Sequence, residues 1–155
     1  MKAITTGEIF KKAIIFEELS HTFYKRLQEV VLDDMTKDTL EFLAREELKH
    51  KDFLEKYLQG ELLGFTLDLA QVHDSKIVEA FQAPPVVPDL LQKDAFLLAA
   101  EREKHSHEFY LNLAELHPAG ETKEIFQKLA LEELAHKEKV EYLYVNAAFP
   151  QTSGG

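Results

Sequence analysis

The feature that most constrains the fold of this chain is an internal repeat. Residues 10–58 align without a gap on residues 96–144, at an offset of 86 positions, and 19 of the 49 pairs are identical. Unrelated segments of this composition would share roughly three or four identical pairs. Glycine and proline number only 6 and 5 among 155 residues, and they cluster between long uninterrupted segments. The repeated unit is therefore a pair of long helices rather than a set of short strands.

Apolar spacing and capping signals predict four helices, at about 6–31, 35–58, 89–116 and 121–147. Thr5 is the predicted N-cap of the first helix, with Glu8 completing a capping box. Asp89, which follows Pro88, is the predicted N-cap of the third. Asp74 is predicted to begin a short helix that runs through Phe81.

One short turn joins the two helices of each repeat, so each pair forms an antiparallel hairpin. The long irregular segment between the hairpins can cross the whole bundle, because even ten extended residues cover about 33 Å. Two hairpins joined by one long crossover form an all-α, ferritin-like four-helix bundle. We predict one domain over residues 1–155, made of hairpin 6–58, crossover 59–88, hairpin 89–147 and a frayed tail at 148–155.

Composition excludes several kinds of site. The chain has no cysteine, which excludes disulfides, zinc ribbons, thiol redox centres and iron–sulfur clusters. A net charge of −10 argues against binding to nucleic acid or to an anionic membrane surface. The first residues contain no long apolar run, so we expect no signal peptide, no transmembrane segment and a cytoplasmic location.

Polar residues recur inside the apolar stripes of the repeat, where a simple helical core does not explain them. Four buried carboxylates without compensation would be very costly, whereas two divalent cations would cancel their charge. Glu and His three positions apart lie on one helix face, and imidazole moves the metal preference towards iron, manganese or zinc. We therefore predict two metal ions bound by six side chains: Glu17, Glu47, His50, Glu103, Glu133 and His136.

Recurrence in register distinguishes these residues from chance matches. Glu18 and His21 also have the Glu-x-x-His spacing, but position 18 corresponds to Lys104 in the second half. By contrast, Glu47-x-x-His50 corresponds to Glu133-x-x-His136. One Glu on each remaining helix completes the ligand set that is typical of di-iron and di-manganese bundles.

These motifs resemble the ferritin-like di-iron domain of rubrerythrins over about residues 8–145. The segments that carry the resemblance are Glu17 to Tyr24, Glu47 to His50, Glu103 to Tyr110 and Glu133 to His136. The resemblance implies that Glu47 and Glu133 bridge two irons, that Glu17 and Glu103 are terminal ligands, and that His50 and His136 bind one iron each.

The chain departs from the rubrerythrin pattern in two ways. Rubrerythrins usually carry a cysteine-ligated rubredoxin-like domain, so here we expect an external electron donor. They also carry a further Glu one turn after the helix-three ligand, where this chain has Ser106. The resemblance implies an oxidoreductase that reduces hydrogen peroxide or O2. A ferroxidase or iron-handling protein, a di-manganese centre and a metal-free helical scaffold remain alternatives.

The repeat contains further polar residues. Tyr24 and Tyr110 share a face with Glu17 and Glu103, and could hydrogen-bond a ligand, pass an electron or serve as core aromatics. We expect His21 and His107 to flank the ligands.

Glu46 and Glu132 also recur, and we expect them to lie on solvated helix faces rather than orient a histidine or bind a partner. The three remaining histidines have no equivalent histidine in the other half, so we expect them on the surface: His73, His105 and His117.

The crossover is too apolar for a free loop. It must pack on its own bundle or on a second subunit, and we expect a homodimer in which crossover exchange is an option. The residues behind this expectation are Leu62, Leu63, Phe65, Leu67, Leu69, Val72, Ile77, Val78 and Phe81.

Overall fold

A computed structural model of the chain describes residues 4–60 and 71–150. The described residues form four long α-helices and one short 3-10 turn, without a β-strand. This all-α architecture confirms the predicted four-helix bundle. The helices are α1 (Thr6–Val30), α2 (Asp34–Leu58), α3 (Gln92–Glu115) and α4 (Glu121–Ala148), and the 3-10 turn is Val78–Ala80.

The first hairpin has strong helix-start signals. Thr5 and Glu8 form the predicted capping box, in which each side chain accepts a hydrogen bond from the other residue's backbone N–H, at 3.1 and 2.9 Å. The carboxylate of Asp33 caps α2 by accepting from the N–H of Thr36 at 2.8 Å. Only residues 31–33 separate α1 from α2, so the two helices are antiparallel.

The start of α3 differs from the prediction. Asp89 does not cap the helix but has a left-handed backbone, with φ of 58°. Leu90, which is buried, instead donates its N–H to the carbonyl of Val30 at 2.9 Å. This contact ties the chain to the end of α1, and α3 begins only at Gln92. The N-cap is therefore Leu91 rather than Asp89, two residues later than predicted.

The topology follows from these connections. Leu90 lies at the end of α1, while α2 finishes beside the start of α1, so the crossover connects opposite ends of the bundle. Part of it, residues 61–70, lies outside the described residues. Five of the apolar residues behind the homodimer expectation fall there, so the homodimer stays a prediction. They are Leu62, Leu63, Phe65, Leu67 and Leu69. Residues 151–155 of the predicted tail also lie outside the described residues, while Ala148 still belongs to α4.

Two apolar clusters fill the bundle, one towards each end. The first cluster includes Leu27, Leu40 and Phe96, and the second includes Phe10, Leu54 and Phe126. A polar layer separates them along every helix. Within the described residues, no helix is long and apolar enough to cross a membrane.

A buried lysine fastens the crossover to the bundle. Lys137 on α4 is only 1% exposed, and its Nζ atom lies 2.6 Å from Asp74 and 2.9 Å from Glu79, both in the crossover. Burial alone would lower the pKa of Lys137, but its bonds with Asp74 and Glu79 raise it. The neighbouring Glu141 accepts a hydrogen bond from the N–H of Val78 at 2.6 Å. The described part of the crossover is therefore bound to α4 of its own chain.

Replacing this lysine should loosen the crossover. Lys137→Met leaves Asp74, Glu79 and Glu141 without their shared cation, so we expect the free energy of unfolding to fall by about 3 kcal/mol. Urea denaturation of the metal-free protein measures the change.

The repeat supplies a matched control. Lys51 corresponds to Lys137 but pairs with Glu18 and Glu55 in a partly exposed setting. Lys51→Met should cost much less than Lys137→Met, because solvent screens an exposed ion pair. Equal losses in the two variants would show that the buried network does not hold the crossover.

Candidate metal centre

The six predicted ligand residues meet in the polar layer between the apolar clusters. Helical spacing places Glu47 and His50 on one face of α2, and the corresponding pair does the same on α4. All four glutamates are fully buried, while the side chains of His50 and His136 are 5% and 13% exposed. The six side chains are therefore buried or nearly buried between the two apolar clusters, as the sequence predicted.

The six side chains form two overlapping groups, related by the repeat. Within each group, one donor atom per residue lies within 4.8 Å of the others. Glu47 and Glu133 belong to both groups, which is the position of bridging carboxylates. One group is Glu17, Glu47, His50 and Glu133, and the other is Glu47, Glu103, Glu133 and His136.

Buried ligand atoms that have no hydrogen-bond partner show whether these residues fit a pair of metal ions. Buried polar atoms in proteins almost always have a hydrogen-bond partner. Here both carboxylate oxygens of Glu47 and Glu133 have none, nor do Oε2 of Glu17 and Oε2 of Glu103. The Nδ1 atoms of His50 and His136 also lack a hydrogen bond. Eight ligand-type atoms thus face one small volume, and this donor set fits two divalent cations.

The electrostatics of the metal-free chain agree with this fit. Burial, followed by repulsion from neighbouring carboxylates, raises the pKa of Glu47 and of Glu133 well above its ordinary value. Burial alone would lower the pKa of His50, but the charge of Glu133 and the hydrogen bond to Glu132 raise it. Without metal, the layer therefore takes up protons to reduce its negative charge.

Tyr24 and Tyr110 cross between the hairpins to reach the glutamates. The hydroxyl of Tyr24 donates to Oε1 of Glu103 at 2.7 Å, and that of Tyr110 donates to Oε1 of Glu17. Burial and the nearby carboxylates raise the pKa of both tyrosines, so both keep the proton that they donate. Of the roles considered for these residues, a hydrogen bond to a predicted ligand is the one that the geometry shows.

His21 and His107 lie outside both groups. Their Nδ1 atoms donate to the backbone carbonyls of Ala44 and Ala130, at 3.1 and 2.6 Å. A carbonyl can only accept, so this nitrogen carries the proton and cannot bind a metal at the same time. Glu18, the other half of the chance motif, pairs with Lys51 at 3.0 Å. Both histidines therefore flank the centre, as predicted.

The expectation that Glu132 does not orient a histidine is wrong, although its side chain is 42% exposed. Its Oε2 atom accepts a hydrogen bond from Nε2 of His50 at 2.7 Å, while Glu46 pairs with Lys49 at 3.2 Å. Partial burial would raise the pKa of Glu132, but the bond and charge of His50 lower it. The recurrence of both glutamates was the available signal, but nothing in the spacing showed which one would reach across to the other hairpin.

The remaining histidines are not near the centre. His73 and His105 are exposed, as expected. His117 is half-buried, because its Nδ1 atom donates to the carbonyl of Leu113 at 2.8 Å and its ring lies 5.3 Å from that of Phe126.

A groove between α2 and α4 leads to the centre. Its volume is about 230 Å³, and His50 lies at its base beside Phe53 and Leu129. Charged side chains of both signs line its walls: Glu46, Lys49, Lys128 and Glu132.

The metal-free protein should lose stability as the pH rises. The folded chain holds protons on Glu47, Glu133 and His50 more tightly than the unfolded chain, whose ordinary pKa values are 4.5 and 6.5. Wherever the folded state binds more protons, the free energy of unfolding falls with rising pH. The decline should begin above 4.5 with the two carboxyls and continue above 6.5 with His50. Glu103 does not oppose this decline above 4.5: burial alone would raise the pKa of Glu103, but Glu133 and His136 lower it, so this group changes stability with pH only below its ordinary value.

Thermal denaturation of chelator-treated protein from about pH 5 to about pH 8 measures this trend. The double variant Glu47→Gln, Glu133→Gln should flatten it, and added Zn²⁺ should stabilise the wild type most at the high end, where the ligands are deprotonated. A metal-free wild type that became more stable across this range would contradict the electrostatic account.

Comparisons with known proteins agree with this architecture. The sequence model of the Rubrerythrin family matches residues 8–144. No curated protein matches the chain at a significant level. Among solved structures, a hypothetical protein from Pyrococcus furiosus is similar, with 26% identity and a TM-score of 0.66 over 96% of this chain and 94% of that one. Since the family model covers most of its length, the chain belongs to the Rubrerythrin family.

Proposed function

We propose that this protein is a dinuclear iron oxidoreductase that reduces hydrogen peroxide or O2 with electrons from an external donor. The observation that carries the proposal is the convergence of eight unpartnered, buried donor atoms from six side chains. A metal-free scaffold would have to protonate this layer or leave most of these atoms unsatisfied, at a cost of about 1–3 kcal/mol for each unsatisfied group. Membership of the Rubrerythrin family supports iron as the metal.

Charge balance supports two ions rather than one. The four glutamates carry four negative charges when ionised, and two divalent cations cancel them. Glu47 and Glu133 would be shared by the two ions, because both belong to each group of ligand residues. His50 and His136 would each serve one ion, and their rings lie 6.1 Å apart between centroids.

The tyrosines prepare the two terminal carboxylates. Tyr24 occupies Oε1 of Glu103, and Tyr110 occupies Oε1 of Glu17, so one oxygen of each is already fixed. The other oxygen, Oε2, has no partner in either glutamate. Each terminal ligand is therefore held in one orientation, with a single oxygen left for metal binding.

The surroundings suit a redox reaction protected from bulk water. The two apolar clusters close both ends of the polar layer, and the groove beside His50 provides a side approach for a small oxidant. A bound ferrous pair would supply two electrons, which with two protons convert one hydrogen peroxide to two water molecules, before an external reductant restores the pair. The hydroxyls of Tyr24 and Tyr110 donate to the two terminal carboxylates and so hold them in place for this reaction.

Anaerobic loading with ferrous iron tests the proposal. We expect two irons per chain, measured by elemental analysis after desalting. A pulse of peroxide should then produce a fast near-ultraviolet absorbance change, and the spectrum should return when a reductant is added. Zero or one iron per chain would overturn the dinuclear proposal.

The same experiment separates peroxide reduction from the ferroxidase alternative. A faster response to peroxide than to O2, with iron retained, supports the oxidoreductase. A faster response to O2 with release of ferric iron would assign the protein to iron handling.

Ligand variants should separate bridging carboxylates from flanking histidines. Glu47→Ala or Glu133→Ala removes a bridge and should abolish binding of a metal pair, while the fold persists because a buried charge is also removed. His21→Ala should leave the stoichiometry unchanged, because His21 is bonded to the carbonyl of Ala44. Loss of metal in His21→Ala but not in His50→Ala would contradict the assignment.

A further inference from the structure

The two halves of the centre are related by the repeat, but the contacts of the ligand histidines break the relation. Some polar contacts come in pairs, such as those of Tyr24 with Glu103 and of Tyr110 with Glu17. The Nε2 atoms of His50 and His136 do not have matching contacts. Nε2 of His50 is bonded to Glu132 at 2.7 Å, whereas Glu46, the counterpart of Glu132, faces Lys49.

The cause lies three residues further along each helix. Glu46 has Lys49 at i+3, and the two side chains pair at 3.2 Å. The position equivalent to Lys49 in α4 is Ala135, which offers Glu132 no such partner. Glu132 is therefore free to cross the groove to α2.

The two ligand histidines also differ in their exposure and in the side chains around them. The side chain of His50 is 5% exposed and lies at the base of the groove, while that of His136 is 13% exposed. The ring of His136 packs edge-on against Phe42, with 5.9 Å between centroids. The position equivalent to Phe42 in α4 is Lys128, which lines the groove beside Glu132.

The bond to Glu132 sets which nitrogen of His50 faces the centre. A carboxylate accepts, so Nε2 of His50 carries a proton and Nδ1 keeps the lone pair when the ring is neutral. Nδ1 lies 2.8 Å from Oε1 of Glu133 and 3.4 Å from Oε1 of Glu17, and so points at the proposed ions. A carboxylate behind a ligand histidine fixes the tautomer, orients the ring and makes it a stronger donor.

We propose that Glu132 is a positioning residue for His50, and that the position formed by Glu17, Glu47, His50 and Glu133 binds a divalent cation more tightly, and fills earlier, than the position that contains His136. This inference rests on the proposed dinuclear site and deepens it. The centre is then unequal in its metal affinities, although its ligand types are the same on both sides.

Zinc titration of the metal-free protein tests the proposal without any measurement of activity. Calorimetry gives the two binding constants, and proton–nitrogen correlation spectra of the histidine rings show which ring responds to each equivalent of Zn²⁺. In the wild type, the first equivalent should shift the His50 resonances and the second those of His136.

Variants of Glu132 should change this order. Glu132→Ala should weaken the first binding step by roughly 10- to 100-fold and allow the neutral His50 ring to adopt the other tautomer. Glu132→Gln keeps an acceptor but not the charge, so it should restore the tautomer and only part of the affinity. Glu46→Ala is the matched control, and should leave the binding constants and the order of filling unchanged.

The outcomes separate this inference from the function on which it rests. If wild type binds two zinc ions but both histidines respond together to the first, or if Glu132→Ala behaves like Glu46→Ala, the positioning role is wrong and the dinuclear site stands. If wild type binds fewer than two, both proposals fail. A parallel loss of thermal stability in the metal-free Glu132→Ala variant would assign Glu132 a structural role instead.

Discussion

Four carboxylates share one buried layer, and the rest of the structure depends on how their charge is balanced. Burial and mutual repulsion push the pKa values of Glu47 and Glu133 upward, so the metal-free chain balances charge only by taking up protons. Two cations would achieve the same balance while leaving every carboxylate ionised. The layer is thus an unfavourable element of the fold by itself, and the apolar clusters on either side must stabilise the bundle against it.

The repeat explains how the layer is built, and the crossover explains where the halves diverge. Each hairpin brings one glutamate and one Glu-x-x-His pair, and the tyrosine of one hairpin holds the glutamate of the other. Lys51 and Lys137 occupy equivalent positions, yet only Lys137 is buried, because the crossover covers α4 and supplies Asp74 and Glu79. The crossover therefore gives Lys137 a structural role that Lys51, its equivalent in the first hairpin, does not have.

Small differences between the halves also reach the centre. Lys49 and Ala135 occupy equivalent positions outside the ligand set, but they decide whether the neighbouring glutamate pairs locally or reaches a histidine. The two ligand histidines consequently differ in hydrogen bonding and in exposure. A site with symmetric ligands can therefore have chemically unequal halves.

Residue order alone was enough to predict the four helices, the capping box at Thr5 and the six residues that meet in the layer, because helical periodicity and an in-register repeat depend on nothing else. Contacts between distant segments set the features that spacing did not predict. Leu90 was buried against the end of α1, which moved the start of α3 away from Asp89. Glu132 bonded His50 across the groove, a contact that exists only because the fold packs α2 beside α4.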